Sequence, residues 1–237
     1  MESFIAKSPQ SIKVLNVLRV SATLPVNILI EGERGTGKET LVNTVFKNIP
    51  KFSVKDLEEH RPQDKEIFIR DFENVSDVMS FMGRFKEYRI IAASTKSKEL
   101  YEDYFPVRIF IPPLSQRPED LEELKRIYIQ KAMREFELEK MPEQFDLDLS
   151  ANAISLKRSI YERALLEKLD EGRFMRLCEE FFASRLERGY RELLSFFEIP
   201  LLRAAKKRYK SALAISKVLG LNRATLTSKL KKYQSKL

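Results

Sequence analysis

Val26-Asn27-Ile28-Leu29-Ile30, then Glu31, then Gly32-Glu33-Arg34-Gly35-Thr36-Gly37-Lys38, is the stretch on which the fold turns. The first five residues are an apolar run of strand length. The last seven match G-x-x-x-x-G-K, and Glu39 to about Lys47 continues in a helical pattern. Strand, glycine loop and helix in that order open a parallel α/β sheet. The glycines let consecutive backbone N–H groups turn inward on phosphate oxygens, and the helix N-terminus adds positive potential. Lys38 is placed to reach the β and γ phosphates. The residues expected to hold ATP or ADP are therefore Gly32, Glu33, Arg34, Gly35, Thr36, Gly37, Lys38, Glu39 and Thr40. Glu39 stands where such loops usually carry the hydroxyl that binds Mg²⁺, so no metal ligand is assigned. The competing reading is a turn of the same shape that no longer binds nucleotide.

Outward from this loop, Pro9 to Val20 reads as an opening helix. Glu66–Arg70, Tyr88–Ala93 and Val107–Ile111 read as further strands, the last stopped by Pro112-Pro113. From Glu119 onward the pattern is helical, with Leu121, Leu124, Ile127 and Tyr128 at helical spacing and Pro118 suited to a first helical position. Pro142, Gly172 and Pro200 read as punctuation. The division expected is a nucleotide-binding core over 1–114, a helical lid over 115–171 and an all-α domain over 172–237.

The 237 residues hold 43% hydrophobic and 33% charged side chains, a globular balance with no apolar run that could span a bilayer. The N-terminus has no apolar segment of a secretory signal, and a single cysteine, Cys178, excludes an intrachain disulfide; both point to the cytoplasm. His60 lies among charged residues and reads as a surface histidine. Charge is unevenly placed. Residues 201–237 carry eleven Lys or Arg and no acid, and removing those eleven from the chain's +8 leaves residues 1–200 at −3. A one-sided cationic segment attracts a polyanion, although a solvated basic tail has the same composition.

The pattern inside that segment separates the two readings. Leu201–Tyr209 and Ala212–Leu219 read as helices, Gly220 as the left-handed end of the second, and Asn222 as the N-cap of a third. Leu202, Ala205, Leu213, Ile215, Val218, Leu221, Leu226 and Leu230 supply a small core. In such a helix-turn-helix the last helix enters the major groove of duplex DNA. Asn222, Arg223, Thr225, Thr227, Ser228 and Lys229 are the candidates for base edges, and Lys231 and Lys232 for phosphates. Upstream, Arg173–Phe197 reads as a helix whose apolar stripe runs from Phe174 through Phe181, Phe182, Tyr190 and Leu194 to Phe197. That is more apolar surface than one hairpin covers, so a homodimer through 173–200 is expected, with packing on the chain's own lid as the alternative.

Phe4–Val20 (FIAKSPQSIKVLNVLRV), with ILIEGERGTGKE, RIIAAST (Arg89–Thr95) and IPPLSQRPEDLEEL (Ile111–Leu124), resembles the AAA+ domain of sigma-54-dependent transcription activators, the NtrC class. Ser211–Leu230 (SALAISKVLGLNRATLTSKL) resembles the Fis-type DNA-binding domain that ends those activators. The resemblance implies a P-loop AAA+-like parallel sheet with a helical lid, followed by an all-α Fis-type helix-turn-helix, and Glu39 is itself a family mark. The departures are informative. Where the family's Walker B strand ends in Asp-Glu, this chain has Arg70-Asp71, so that Asp71 is the one catalytic candidate, at the position of the family's glutamate. A cation at the metal-facing position repels Mg²⁺ and removes the main charge stabiliser of phosphoryl transfer; the alternative is an outward Arg70 after a register shift. Thr95 matches the sensor I Asn, Arg108 matches one arginine finger, and Ser155–Ala164 lacks the sensor II run Gly-Asn-Val-Arg. The interval from Lys38 to Asp71 is about half that of the family, and no GAFTGA string occurs, so contact with sigma-54 is not expected.

The leading expectation is a DNA-binding transcription regulator with a trimmed, nucleotide-sensing AAA+ module. The alternatives are an ATP-hydrolysing sigma-54-type activator and an architectural DNA-binding protein that keeps the module as a scaffold.

Overall fold

The computed structural model describes residues 3–59, 61–142 and 144–236, so His60 lies outside the described residues. They form two compact units that divide between Lys168 and Leu169.

The first unit is built on β1 (Ile28–Glu31), β2 (Lys51–Ser53), β3 (Glu66–Arg70), β4 (Arg89–Ser94) and β5 (Val107–Phe110). These strands lie in the order β2-β3-β4-β1-β5. Every pairing is parallel, with Ile28 opposite both Ile91 and Val107. Ile28 and Ile30 face one core with Leu15, Leu18 and Leu41, while Leu29 faces the other with Leu57, Ile67, Phe72 and Phe85. A sheet covered on both faces needs apolar residues at successive positions, which is why VNILI reads as a continuous run and not as an alternation. α1 (Pro9–Ala22) and α2 (Lys38–Val45) cover the first face; α3 (Val54–Glu59) and α4 (Val78–Arg84) cover the second. The four strands expected from sequence are present. β2 is not among them, because a three-residue edge strand of half-buried Lys-Phe-Ser carries no hydrophobic run.

α5 (Pro118–Glu135) opens on Pro118 and packs on α6 (Ala153–Glu167) through Tyr128, Ala132, Leu156, Ile160 and Ala164. The second unit contains α7 (Glu171–Ala183), α8 (Gly189–Arg208), α9 (Ala212–Val218) and α10 (Arg223–Lys232). Two readings of this unit are corrected. Pro200 does not punctuate: it lies inside α8. The helix expected over Arg173–Phe197 instead breaks between Ala183 and Gly189, where Arg185 N bonds Phe182 O and Gly189 takes φ +74°. The small core is Leu202, Ala205, Ile215, Leu226 and Tyr233, whereas Leu213 and Val218 are 57% and 55% exposed. α9 is only seven residues long, so one narrow face meets its neighbours and those two fall outside it. No helix among the described residues is long and apolar enough to cross a membrane.

Candidate functional site

The loop Gly32–Gly37 leaves the carboxyl end of β1, an interior strand, where open parallel sheets hold their ligands. Gly35 and Gly37 adopt φ +80° and +101°. A Cβ on Gly35 would lie 2.2 Å from the carbonyl oxygen of Ala151, so glycine is required there on both conformation and space. Lys38 Nζ donates to Gly32 O (2.6 Å) and Glu33 O (2.9 Å), folded over its own loop. Burial holds the Lys38 ammonium below the usual lysine range, opposed by the carboxylates of Glu73, Asp71 and Glu33. Thr36 is buried, and its Oγ1 donates to Glu33 O. Glu33 and Arg34 are exposed, and Thr40 is half-buried on α2 with its carbonyl accepting from Thr44 Oγ1. Glu39 is turned onto Lys51, 3.0 Å away.

Arg70 ends β3 exposed to solvent, and Asp71, also exposed, takes φ +52° at the start of a short turn over Phe72–Asn74. The acid that acts most strongly on Lys38 is Glu73, two residues further on. Its Oε1 accepts from the hydroxyl of Thr95, the residue after β4, while its Oε2 is shielded from solvent with no hydrogen-bond partner among the described residues. Burial pushes the Glu73 carboxyl up, but the hydrogen bonds from Thr95 and the nearby backbone outweigh it and leave it below the ordinary range. Reading only the two residues at the strand end misses it; the signal was a third acid one turn later.

A second layer of contacts holds the loop from outside. Asn152 Nδ2 donates to Glu33 Oε2 and Arg34 O, both at 3.0 Å, and its Oδ1 accepts from Leu114 N. Ala153 N donates to Gly35 O, and Ile154 approaches Gly35. The segment that meets the glycine loop is thus 151–154, just upstream of the Ser155–Ala164 stretch read from sequence, and it brings an apolar Ile154 beside Gly35. Beneath, Arg117 (2% exposed) donates to Thr36 O and to Ser11 Oγ and pairs with buried Asp120, which also accepts from the backbone N–H groups of Lys7 and Ser8. Arg108 is spent within its own unit, on Glu31, Glu102 and Ser97. Serving as an arginine finger would require Arg108 to exchange these partners for a phosphate on another subunit. Among the described residues no group of three or more His, Cys, Asp or Glu could hold a metal ion.

In the second unit, Gly220 (φ +64°) ends α9, and Asn222 Oδ1 accepts from Thr225 N, capping α10. That bond commits the Asn222 oxygen to the helix. Arg223, Thr227, Ser228, Lys231 and Lys232 are exposed along α10, and Thr225 is half-buried. Lys229 departs from the sequence reading: its ammonium pairs with Glu198 of α8, whose other oxygen accepts from Tyr233 Oη at 2.7 Å. Lys229 sits three residues after the buried Leu226, on the inner side of the helix, so its cation ties α10 to α8 and is not presented outward. α7 buries none of its residues. With α8 it forms an apolar groove of about 840 Å³, lined by Phe174, Phe182, Tyr190, Leu194 and Phe197 among others.

A glycine loop on an interior strand of a five-stranded parallel sheet, with helices docked on the loop, is a P-loop-type α/β unit; the second unit ends in a helix-turn-helix. Residues 4–58 match the family described as the Sigma-54 interaction domain, and residues 187–235 match a helix-turn-helix domain family. The crystal structure of NtrX from Brucella abortus in complex with ATP has the same fold, with a TM-score of 0.58 at 14% identity over 98% of this chain and 69% of that one. The ADP complex of the same protein gives 0.55 at 15% identity over 97% and 69%. No curated protein matches significantly. The chain is therefore similar, over residues 4–58, to the Sigma-54 interaction domain and, over residues 187–235, to a helix-turn-helix domain, as its sequence led us to expect.

Proposed function

We propose that this chain is a transcription regulator that binds duplex DNA through α10 as a two-fold dimer, with an N-terminal module that binds ATP or ADP and does not act as a motor. The observation that carries the reading is the exposed face of α10, where Arg223, Thr227, Ser228, Lys231 and Lys232 stand on a segment that has no acid from residue 201 to 237. A helix of this kind fits the major groove, with Arg223 and the hydroxyls at base edges and the two lysines at phosphates. The groove between α7 and α8 is the face a second copy would cover.

In the N-terminal module, Lys38 and the backbone of Gly35–Lys38 would hold the phosphates once Lys38 releases Gly32 O and Glu33 O. A bound Mg²⁺ would supply charge neutralisation there. The buried, unpartnered oxygen of Glu73 fits that ion, whereas Glu39, turned onto Lys51, does not. Three features support binding without turnover: Arg70 at the strand end, Arg108 locked onto Glu31 and Glu102, and Ile154 beside the loop. Among the described residues the connection from α2 to β3 holds only β2 and α3, which supports a reading without sigma-factor contact.

The test is fluorescence anisotropy of labelled duplex DNA against the full chain at several salt concentrations. Affinity should fall steeply with salt, and Lys231→Ala with Lys232→Ala should lower the slope of log K on log salt by roughly 2. Indifference to DNA, or an affinity flat in salt, would remove the reading.

A further inference from the structure

The sequence leaves the nucleotide site without a metal-facing acid, because Arg70 ends the strand on which that acid would sit. The structure supplies a different one. Thr95 and Glu73 follow β4 and β3 at the same carboxyl edge of the sheet from which the Gly32–Lys38 loop departs. β4 lies between β3 and β1, so Thr95 follows the strand next to the loop's own and Glu73 the strand beyond it. We propose that Glu73, held by Thr95, is the residue that receives the divalent cation carried by a nucleoside triphosphate on Lys38, in place of the acid lost at Arg70. This rests on the nucleotide reading above.

Three observations converge on Glu73. One carboxylate oxygen is fixed by the Thr95 hydroxyl, which sets the direction of the group. The other is shielded from solvent and makes no hydrogen bond among the described residues, which leaves it as the oxygen open to a cation. Of the three carboxylates acting on Lys38, the residue that marks the phosphate position, Glu73 acts most strongly. Asp71, by contrast, is solvent-exposed at the turn entry. A single carboxylate is sufficient, since Mg²⁺ on a nucleotide takes most of its ligands from phosphate oxygens and water and needs only one or two from the protein. Glu73 thus serves to discriminate the metal-bound triphosphate from the bare one, a sensing role that requires no hydrolysis.

The experiment measures ATP affinity of the full chain by calorimetry, in EDTA and in excess Mg²⁺, for wild type, Glu73→Gln and Asp71→Asn. Wild type is expected to bind about tenfold more tightly with Mg²⁺ than without it. Glu73→Gln keeps the size of the side chain and its acceptor toward Thr95, and its two affinities should coincide at or above the wild-type value in EDTA. Asp71→Asn should keep the magnesium gain. Thr95→Val, which removes the donor without touching the carboxylate, should reduce that gain at least threefold and keeps the test open if Glu73→Gln melts early. A magnesium gain that survives Glu73→Gln, one lost in Asp71→Asn, or wild-type binding indifferent to Mg²⁺ overturns the assignment while leaving nucleotide binding intact. Absence of ATP binding by wild type in both conditions overturns the nucleotide reading and the assignment together.

Discussion

Gly35 is the residue at which the phosphate loop and the lid constrain each other. Its φ of +80° excludes most side chains, and the carbonyl oxygen of Ala151 occupies the space a methyl group would need. Gly35→Ala should therefore cost about 1–3 kcal/mol, from backbone strain together with displacement of the 151–154 segment. Thermal melting reads the loss, and hydrogen exchange at Ala153 N, which now donates to Gly35 O, should rise with it. An unchanged melting temperature would mean that the lid does not rest on the loop in solution. The glycines themselves were legible in the sequence, because their spacing has a backbone reason. Asn152 was not. An Asn before a helical run reads as an N-cap, yet here the residue takes φ +52° and spends both ends of its amide on Leu114, Glu33 and Arg34, partners 38 and more than a hundred residues away. Glu73 was missed for the same reason: its meaning comes from Thr95 on a neighbouring strand.

The clasp between α8 and α10 belongs to the scale of elements. Glu198, with a side chain only 12% exposed, holds Lys229 and Tyr233 together. Burial pushes its carboxyl up, but the hydrogen bonds from Lys229 and Tyr233 prevail, and it ionises below the ordinary glutamate value. The stability this contributes is present above the unfolded-chain pKa, about 4.3, and is lost as pH falls through the lower folded value. Glu198→Gln should destabilise the helix-turn-helix by about 1–3 kcal/mol at neutral pH, since it leaves Lys229 short of a partner. The gap between wild type and variant should close in the acid range below that value. Exchange of the Leu226 and Tyr233 amides at pH 7 and at pH 3 measures both; a gap that widens toward acid would refute the clasp. Sequence placed the turn, the cap and α10 correctly from Gly220 and Asn222, whereas the role of Lys229 depended on which way the third helix rolls onto the first.

On the scale of the whole molecule, the α7–α8 surface decides whether the chain acts alone. Phe197, Phe174 and Tyr190 remain exposed at 52%, 41% and 78%, and α7 has no buried residue of its own. If a second copy covers this groove, replacing Phe182 and Leu194 with Asp puts charges into a desolvated interface. Sedimentation velocity should then show a monomer where wild type is a dimer, and affinity for a palindromic site should fall at least about tenfold. A monomeric wild type, or a variant that stays dimeric, would end that reading.

The sequence alone determined the strand, glycine loop and helix at residues 26–47, three further strands, the resemblance in fold and the cationic character of the last helix. These are carried by local periodicity, by glycine and proline chemistry, and by charge, all of which act over a few residues. The tertiary structure alone decided that Glu73 is held by Thr95, that Arg108 pairs within its own unit, that segment 151–154 touches the loop through Asn152, and that Lys229 points inward. Each of those depends on a partner distant along the chain, so the outcome is set by how strands register and helices roll once the apolar faces are buried.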